Sequence, residues 1–266
     1  MHFDTDLLDQ LNALARVAGE KILAIYDTHF DVTHKADNSP LTDADLASHH
    51  TIVDALTQLT PDIPILSEES ATIAFSERTN WHRYWLIDPL DGTKEFVKRN
   101  GEFTVNIALI EQHEPVLGIV YCPVKDILYT AGKGLGAFKQ DAHGKHAIHV
   151  SQTLNTPIRV VGSRSHGGDQ LADIFGAIGP YELITLGSSL KICLVAEGMA
   201  DIYPRLGPTS EWDTAAAHAI VLEAGGALTQ TDQSALRYNT KDSLLNPYFL
   251  VYGDHHIPWK THFASA

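Results

Sequence analysis

The chain is poor in cysteine: Cys122 and Cys193 are its only two, and they lie far apart. They cannot build a C-x-x-C redox motif or a zinc site, and whether they pair with each other is left open. Positive charge is also scarce, with 19 Lys and Arg against 33 Asp and Glu and a formal net charge of −14. Such a surface repels a polyphosphate backbone, which argues against polymeric nucleic acid as a partner. Long apolar runs are missing too. The segment from Ile119 to Ile127 is interrupted by Cys122, Pro123 and Lys125, so no transmembrane segment is expected. The opening Met1-His2-Phe3-Asp4-Thr5-Asp6 carries acids where a secretory leader carries bases. These absences predict a cytoplasmic protein. They leave open a loose association with the inner membrane, and they say nothing of oligomeric state.

What is present suffices for a large core: 266 residues, of which 44% are apolar. Leu7, Leu11, Leu14, Ala18, Ile22 and Ile25 recur at helical spacing and predict a first amphipathic helix. Thr42 reads as the N-cap of a second, with Leu46, Val53, Leu56 and Leu59 as its buried stripe. Strand-like runs follow at Ile63 to Leu66, Tyr84 to Ile87, Thr104 to Ile110, Val116 to Tyr121, Ile127 to Ala131 and Gly136 to Lys139. Most have no helix between them, which predicts an antiparallel sheet. From about Pro157 strands and helices alternate. Strands are expected at Arg159 to Gly162, Glu182 to Leu186 and Ala200 to Tyr203, and helices at Gln170 to Ile178, Ser188 to Glu197 and Thr214 to Ala224. No internal repeat or low-complexity linker separates the halves. The reading is two closely packed lobes, residues 1–156 and 157–266, in an α/β fold.

Chemistry concentrates in acids. Asp88-Pro89-Leu90-Asp91-Gly92-Thr93 directly follows the run Tyr84 to Ile87. Two carboxylates separated by a rigid proline suit a hard cation such as Mg²⁺, which takes oxygen ligands. Gly92 lets backbone approach a phosphate, and a helix starting at Thr93 would offer free N–H groups to it. The bland alternative is a solvated Asp-Pro and Asp-Gly turn. Three further acidic elements each have a bland reading. Ser67-Glu68-Glu69-Ser70 reads as an exposed loop, Asp213 in Trp212-Asp213-Thr214 as an N-cap, and Asp45 in Thr42-Asp43-Ala44-Asp45 as part of a capping box. Their joint occurrence in one chain weighs against four coincidences.

Together with Ser39-Pro40, these segments resemble the inositol monophosphatase superfamily of magnesium-dependent, lithium-sensitive phosphatases, across nearly the whole chain. Lys35 to Pro40, Gly187-Ser188-Ser189-Leu190-Lys191, and Tyr203-Pro204-Arg205 through Asp213 resemble its bacterial bisphosphate nucleotidases most. The resemblance implies a two-lobed αβαβα sandwich and two or more Mg²⁺ ions. It assigns Glu68, Asp88 and the Leu90 carbonyl to one ion, and Asp88, Asp91 and Asp213 to the second. It implies that Thr93, oriented by Asp45, positions the attacking water, and that Glu68, Leu90, Asp91, Gly92, Thr93 and Asp213 face the cleaved phosphate. Ser188, Lys191 and Arg205 are candidates for a second phosphate. The substrate so implied is adenosine 3',5'-bisphosphate, cleaved to AMP and phosphate, a by-product of sulfate activation. An inositol or sugar phosphatase of the same superfamily is the alternative, and a non-catalytic metal- or nucleotide-binding regulator is the rival from another class.

Other signals are set aside. Gly132-Lys133-Gly134-Leu135-Gly136 lacks phosphate-loop spacing and reads as a hairpin turn. His143, His146 and His149 surround Gly144-Lys145 and read as solvated, and His49-His50 and His255-His256 carry no better claim. The loop Ser163 to His166 reads equally well as surface or as a substrate contact.

Overall fold

Two helices open the chain, of which the computed structural model describes residues 5–29, 32–34, 40–70, 72–162, 175, 178–253 and 256–263. Helix α1 (Thr5–Tyr26) buries Leu7, Leu8, Leu11, Ala15, Ala18 and Ile22, with Leu14 and Ile25 at the edge of that face. A short antiparallel ribbon, β1 (Thr33–His34) and β2 (Pro40–Leu41), leads to α2 (Asp43–Leu59). Thr42 caps α2 as expected, and Leu56, Val53 and Leu59 of the expected stripe pack into the core, but Leu46 is 38% exposed and the most buried line runs along Ala44, Ser48, Ile52 and Leu56. The difference has a polar cause. Ser48 is buried because its hydroxyl donates to the Pro89 carbonyl at 2.7 Å, a contact that hydrophobicity does not encode.

The first large sheet has seven strands in chain order: β3 (Ile65–Ser67), β4 (Arg83–Asp91), β5 (Thr104–Glu111), β6 (Glu114–Cys122), β7 (Ile127–Gly132), β8 (Gly136–Asp141) and β9 (Gly144–Ala147). It is antiparallel except at one edge. There β3 pairs parallel to β4, because the chain turns through Glu68–Ser70 and a short helix α3 (Phe75–Arg78) before re-entering in the same direction. The second sheet has five strands in the order β11 (Tyr181–Thr185), β10 (Ile158–Gly162), β12 (Ile202–Arg205), β14 (Phe249–Tyr252) and β13 (Ala227–Gln230). Its first three strands are parallel and the last two pair antiparallel.

Period-two burial turns these sheets into layers. Trp85, Ile87, Val105, Ile107, Leu109, Leu117 and Ile119 face α1 and α2. Their neighbours Tyr84, Leu86, Ala108, Ile110 and Val120 face a central core. That core is closed by α5 (Leu190–Ala196) and α6 (Glu211–Glu223) and by Tyr203, Phe249 and Val251 of the second sheet. On the opposite face of that sheet, Ile158, Val160, Ile202, Leu250 and Tyr252 pack outward against Trp259 and Phe263 of α7 (Trp259–Phe263) and against Phe175. The result is α/β/α/β/α. Helix α4 (Thr93–Val97) lies at the end of β4.

Helix α6 sits between both sheets, so it is buried all round from Thr214 to Val221, as its alanines require. Gly118 of β6 lets it approach: a Cβ there would meet the Ala216 carbonyl oxygen at 2.0 Å. Cys122 and Cys193 are both buried and free. Among the described residues no helix is long and apolar enough to cross a membrane. The helix expected over Gln170 to Ile178 lies mostly outside the described residues, although Phe175 and Ile178 are helical. The segments Lys35 to Ser39 and Ser163 to His166 also lie outside them.

Candidate active site

The C-terminal end of β4 carries the acidic turn, which the surrounding backbone holds firmly. The Leu90 N–H donates to Asp88 Oδ1 at 3.1 Å, and the Pro89 carbonyl is held by Ser48. Gly92 then takes φ +95°, a left-handed conformation costly for other residues, and α4 begins at Thr93. Asp88, Asp91 and Asp213 each bring a carboxylate oxygen within 4.8 Å of the other two. Glu68 joins them through a hydrogen bond with Asp88.

Two of the acids serve a helix end and the site at once. Asp45 is the third residue of α2, and its Oδ2 accepts from the Thr42 N–H at 2.8 Å and the Thr42 hydroxyl at 2.7 Å. Its Oδ1 accepts the Thr93 hydroxyl at 3.2 Å. One carboxylate oxygen thus serves the helix cap and the other meets Thr93. Thr93 Oγ1 also lies 3.4 Å from the Leu90 carbonyl. Asp213 is not the N-cap expected from sequence. Helix α6 starts earlier, at Glu211, with Ser210 extended at the cap (φ −95°, ψ 164°) and donating its N–H to Asp213 Oδ2 at 2.8 Å. Asp213 thereby occupies in α6 the position Asp45 occupies in α2.

Electrostatically the cluster is strained. Burial, then Glu68, Asp91 and Asp213, push the Asp88 carboxyl well above the usual carboxylate range. Asp213 is pushed up to about 8 by withdrawal from solvent and the charge of Asp91. Two full charges at this separation repel by about 3 kcal/mol even at an effective dielectric near 20. An all-oxygen, multiply anionic donor set of this kind fits a hard divalent cation, which would relieve the repulsion.

A pocket opens beside the cluster, lined by Asp91, Gly92, Ser188, Lys191, Arg205 and Asp213, with Lys94 and Lys98 on the side of α4. Lys191 Nζ donates to the Ser188 carbonyl at 2.7 Å and lies over the Tyr203 ring. Burial lowers its pKa, against the pull of Asp91. Arg205 donates through Nη2 to the Pro208 carbonyl at 2.9 Å, and its buried Nε has no hydrogen-bond partner. In the turn before α5 two N–H groups are already engaged: Gly187 donates to Glu102 Oε2 at 2.9 Å and Ser189 to Asp91 Oδ2 at 2.6 Å. Ser188 still lines the pocket, in a left-handed conformation at φ +49°.

Sequence reasoning did not pick out Ser189, Asn106 and Glu211. The first two hydrogen-bond around Asp91, and the third is buried in the first turn of α6. Ser189 lay inside a recognised segment without being singled out, and neither of the others belongs to an acidic motif. The histidines at 143, 146 and 149 are exposed, and His49 Nδ1 lies 2.9 Å from the hydroxyl of Ser67, next to Glu68. The acidic trio is the only such group of potential metal ligands among the described residues.

The chain is 50% identical over 247 residues to an Escherichia coli 3'(2'),5'-bisphosphate nucleotidase, CysQ, spanning 92% of this chain and 99% of that protein. A crystal structure of CysQ from Bacteroides thetaiotaomicron superposes with a TM-score of 0.79 at 44% identity, covering 94% of this chain and all of that one. The suhB protein of Bartonella henselae shares the fold, with a TM-score of 0.80 at 25% identity over 98% of this chain and 100% of its own. A profile of the inositol monophosphatase family matches residues 4–258, and the chain belongs to that family.

Proposed function

We propose that the protein is a Mg²⁺-dependent phosphatase that removes the 3'-phosphate of adenosine 3',5'-bisphosphate, giving AMP and phosphate. The observation that carries this reading is the juxtaposition of the Asp88, Asp91 and Asp213 carboxylates with a pocket holding Lys191 and the unpaired Nε of Arg205. The 50% identity to a bisphosphate nucleotidase supports the choice of substrate. Glu68, Asp88 and the Leu90 carbonyl would hold one ion, and Asp88, Asp91 and Asp213 a second. Bound there, Mg²⁺ would neutralise charge on the attacked phosphate and make the attacking water more acidic.

The chain's own groups do the rest. Asp45 accepts the Thr93 hydroxyl proton, which turns the Thr93 lone pairs outward to accept from the attacking water and aim it in line. The Gly92 backbone gives the phosphate close access. Lys191 and Arg205 hold the second phosphate, whose charge the acidic surface would otherwise repel. The two lobes, residues 1–156 and 157–266, then contribute opposite walls of one cleft, and the protein works in the cytoplasm. Measuring phosphate release from adenosine 3',5'-bisphosphate, inositol 1-phosphate and fructose 1,6-bisphosphate tests the assignment. Preference for either of the last two would move the chain to another branch of its family.

A further inference from the structure

Asp91 is held closely by a single residue, Ser189. Its Oδ2 accepts the Ser189 N–H at 2.6 Å and the Ser189 hydroxyl at 2.7 Å, with Asn106 Nδ2 a further 3.4 Å contact. A carboxylate oxygen has two lone-pair sites, and all the hydrogen bonds that Asp91 receives in its side chain fall on Oδ2. Oδ1 receives no hydrogen bond from any described residue. The Ser189 side chain has an N-cap location at the start of α5 but does not cap it. The commonest role of a serine at that place is therefore not the one it plays.

The serine is itself fixed from the other sheet. Asn106 of β5 donates through Nδ2 to Ser189 Oγ at 2.8 Å, and the Asn106 amide is oriented by the Thr104 hydroxyl, which donates to Oδ1 at 2.9 Å. With Asn106 donating to it, Ser189 keeps one proton for two acceptors, Asp91 Oδ2 and the Asp213 carbonyl, each at 2.7 Å. Ser189 is 2% exposed, so water does not replace these contacts. One hydroxyl thus links the first turn of α5 to both acidic segments.

We infer that Ser189 is a positioning residue for Asp91: it engages Oδ2 and leaves Oδ1 as the oxygen that Asp91 presents to a divalent cation. This rests on the metal assignment of the preceding section. Hydrogen-bonding partners behind a metal ligand typically matter about 10–100-fold in metal affinity.

Mn²⁺ binding to the full-length protein, followed by the electron paramagnetic resonance signal of the free ion, tests this without relying on turnover. Ser189→Ala should weaken binding about 10–100-fold, and Ser189→Thr, which keeps the hydroxyl, should bind close to wild type. In an Asp91→Asn background the Ser189→Ala change should have no further effect, because its route runs through Asp91. Unchanged Mn²⁺ affinity in Ser189→Ala overturns the inference, and so does an equal loss in the Asp91→Asn background or in Ser189→Thr. If Asp91→Asn alone binds Mn²⁺ like wild type, the metal assignment fails first and takes this inference with it.

Discussion

Replacing Glu211 by glutamine should stabilise the protein by an amount that grows as pH rises. Glu211 is 1% exposed, and both its oxygens accept from a single donor, the Asn239 N–H, at 3.1 and 2.9 Å. Arg78 and Lys241 are the cations within electrostatic reach, and Tyr84 and Tyr238 are the titratable hydroxyls. Arg78 directs its guanidinium elsewhere, to Asn239 Oδ1 at 2.6 Å and to the carbonyls of Lys241 and Asp242. Burial therefore dominates and pushes the Glu211 carboxyl from 4.5 up to about 7. The folded chain holds this proton more tightly than the unfolded chain does. The stability linked to it is complete below 4.5 and is lost as pH rises to about 7, a loss of about 3 kcal/mol. Glutamine keeps the shape and the acceptor but has no charge to bury. The unfolding free energy of the variant minus that of wild type should thus increase by about 3 kcal/mol between about pH 4.5 and 8. Urea unfolding across that range, with EDTA throughout to exclude bound metal, measures it. A difference that stays flat with pH would refute the reasoning.

Three further outcomes follow from the site. Thr93→Ala should lower the catalytic rate about 10²–10⁴-fold while Mg²⁺ titrations shift far less, and Asp45→Asn should resemble it, with the double variant non-additive; equal losses in rate and metal affinity would reduce Thr93 to a structural residue. Arg205→Ala should cost roughly 1.5–3 kcal/mol of binding for adenosine 3',5'-bisphosphate and leave a small monophosphate substrate unaffected, so equal KM changes for both would remove Arg205 from the site. Lithium should inhibit at concentrations where sodium has little effect, by occupying the place of the ion at Asp91 and Asp213; activity indifferent to lithium over a wide titration would count against that.

Much of the placement was legible because strong periodic signals coincide with burial. Strands β4 to β8 were visible as apolar runs, and the end of β4 announced the acidic turn. The parallel pairing of β3 was not legible, since the crossover through Glu68 and α3 is too short and polar to signal a direction. On α2 the exposure of Leu46 and the burial of Ser48 were not legible, because Ser48 turns inward to hold the Pro89 carbonyl. The start of α6 was placed late for a related reason: Glu211 reads as a surface acid, and only the loop bearing Asn239 reveals that it is buried. Ser189 and Asn106 stayed hidden because their partners lie on elements far apart in the chain, and no local spacing records a contact between residues 83 positions apart.

The most direct measurement is phosphate release from adenosine 3',5'-bisphosphate by the purified protein, with Mg²⁺ and after its removal by EDTA, beside inositol 1-phosphate. Rapid, Mg²⁺-dependent release from the bisphosphate, with AMP as the nucleotide product and inositol 1-phosphate a poor substrate, is the result predicted. Release that persists undiminished without divalent metal, or no release from the bisphosphate at saturating Mg²⁺, would contradict it.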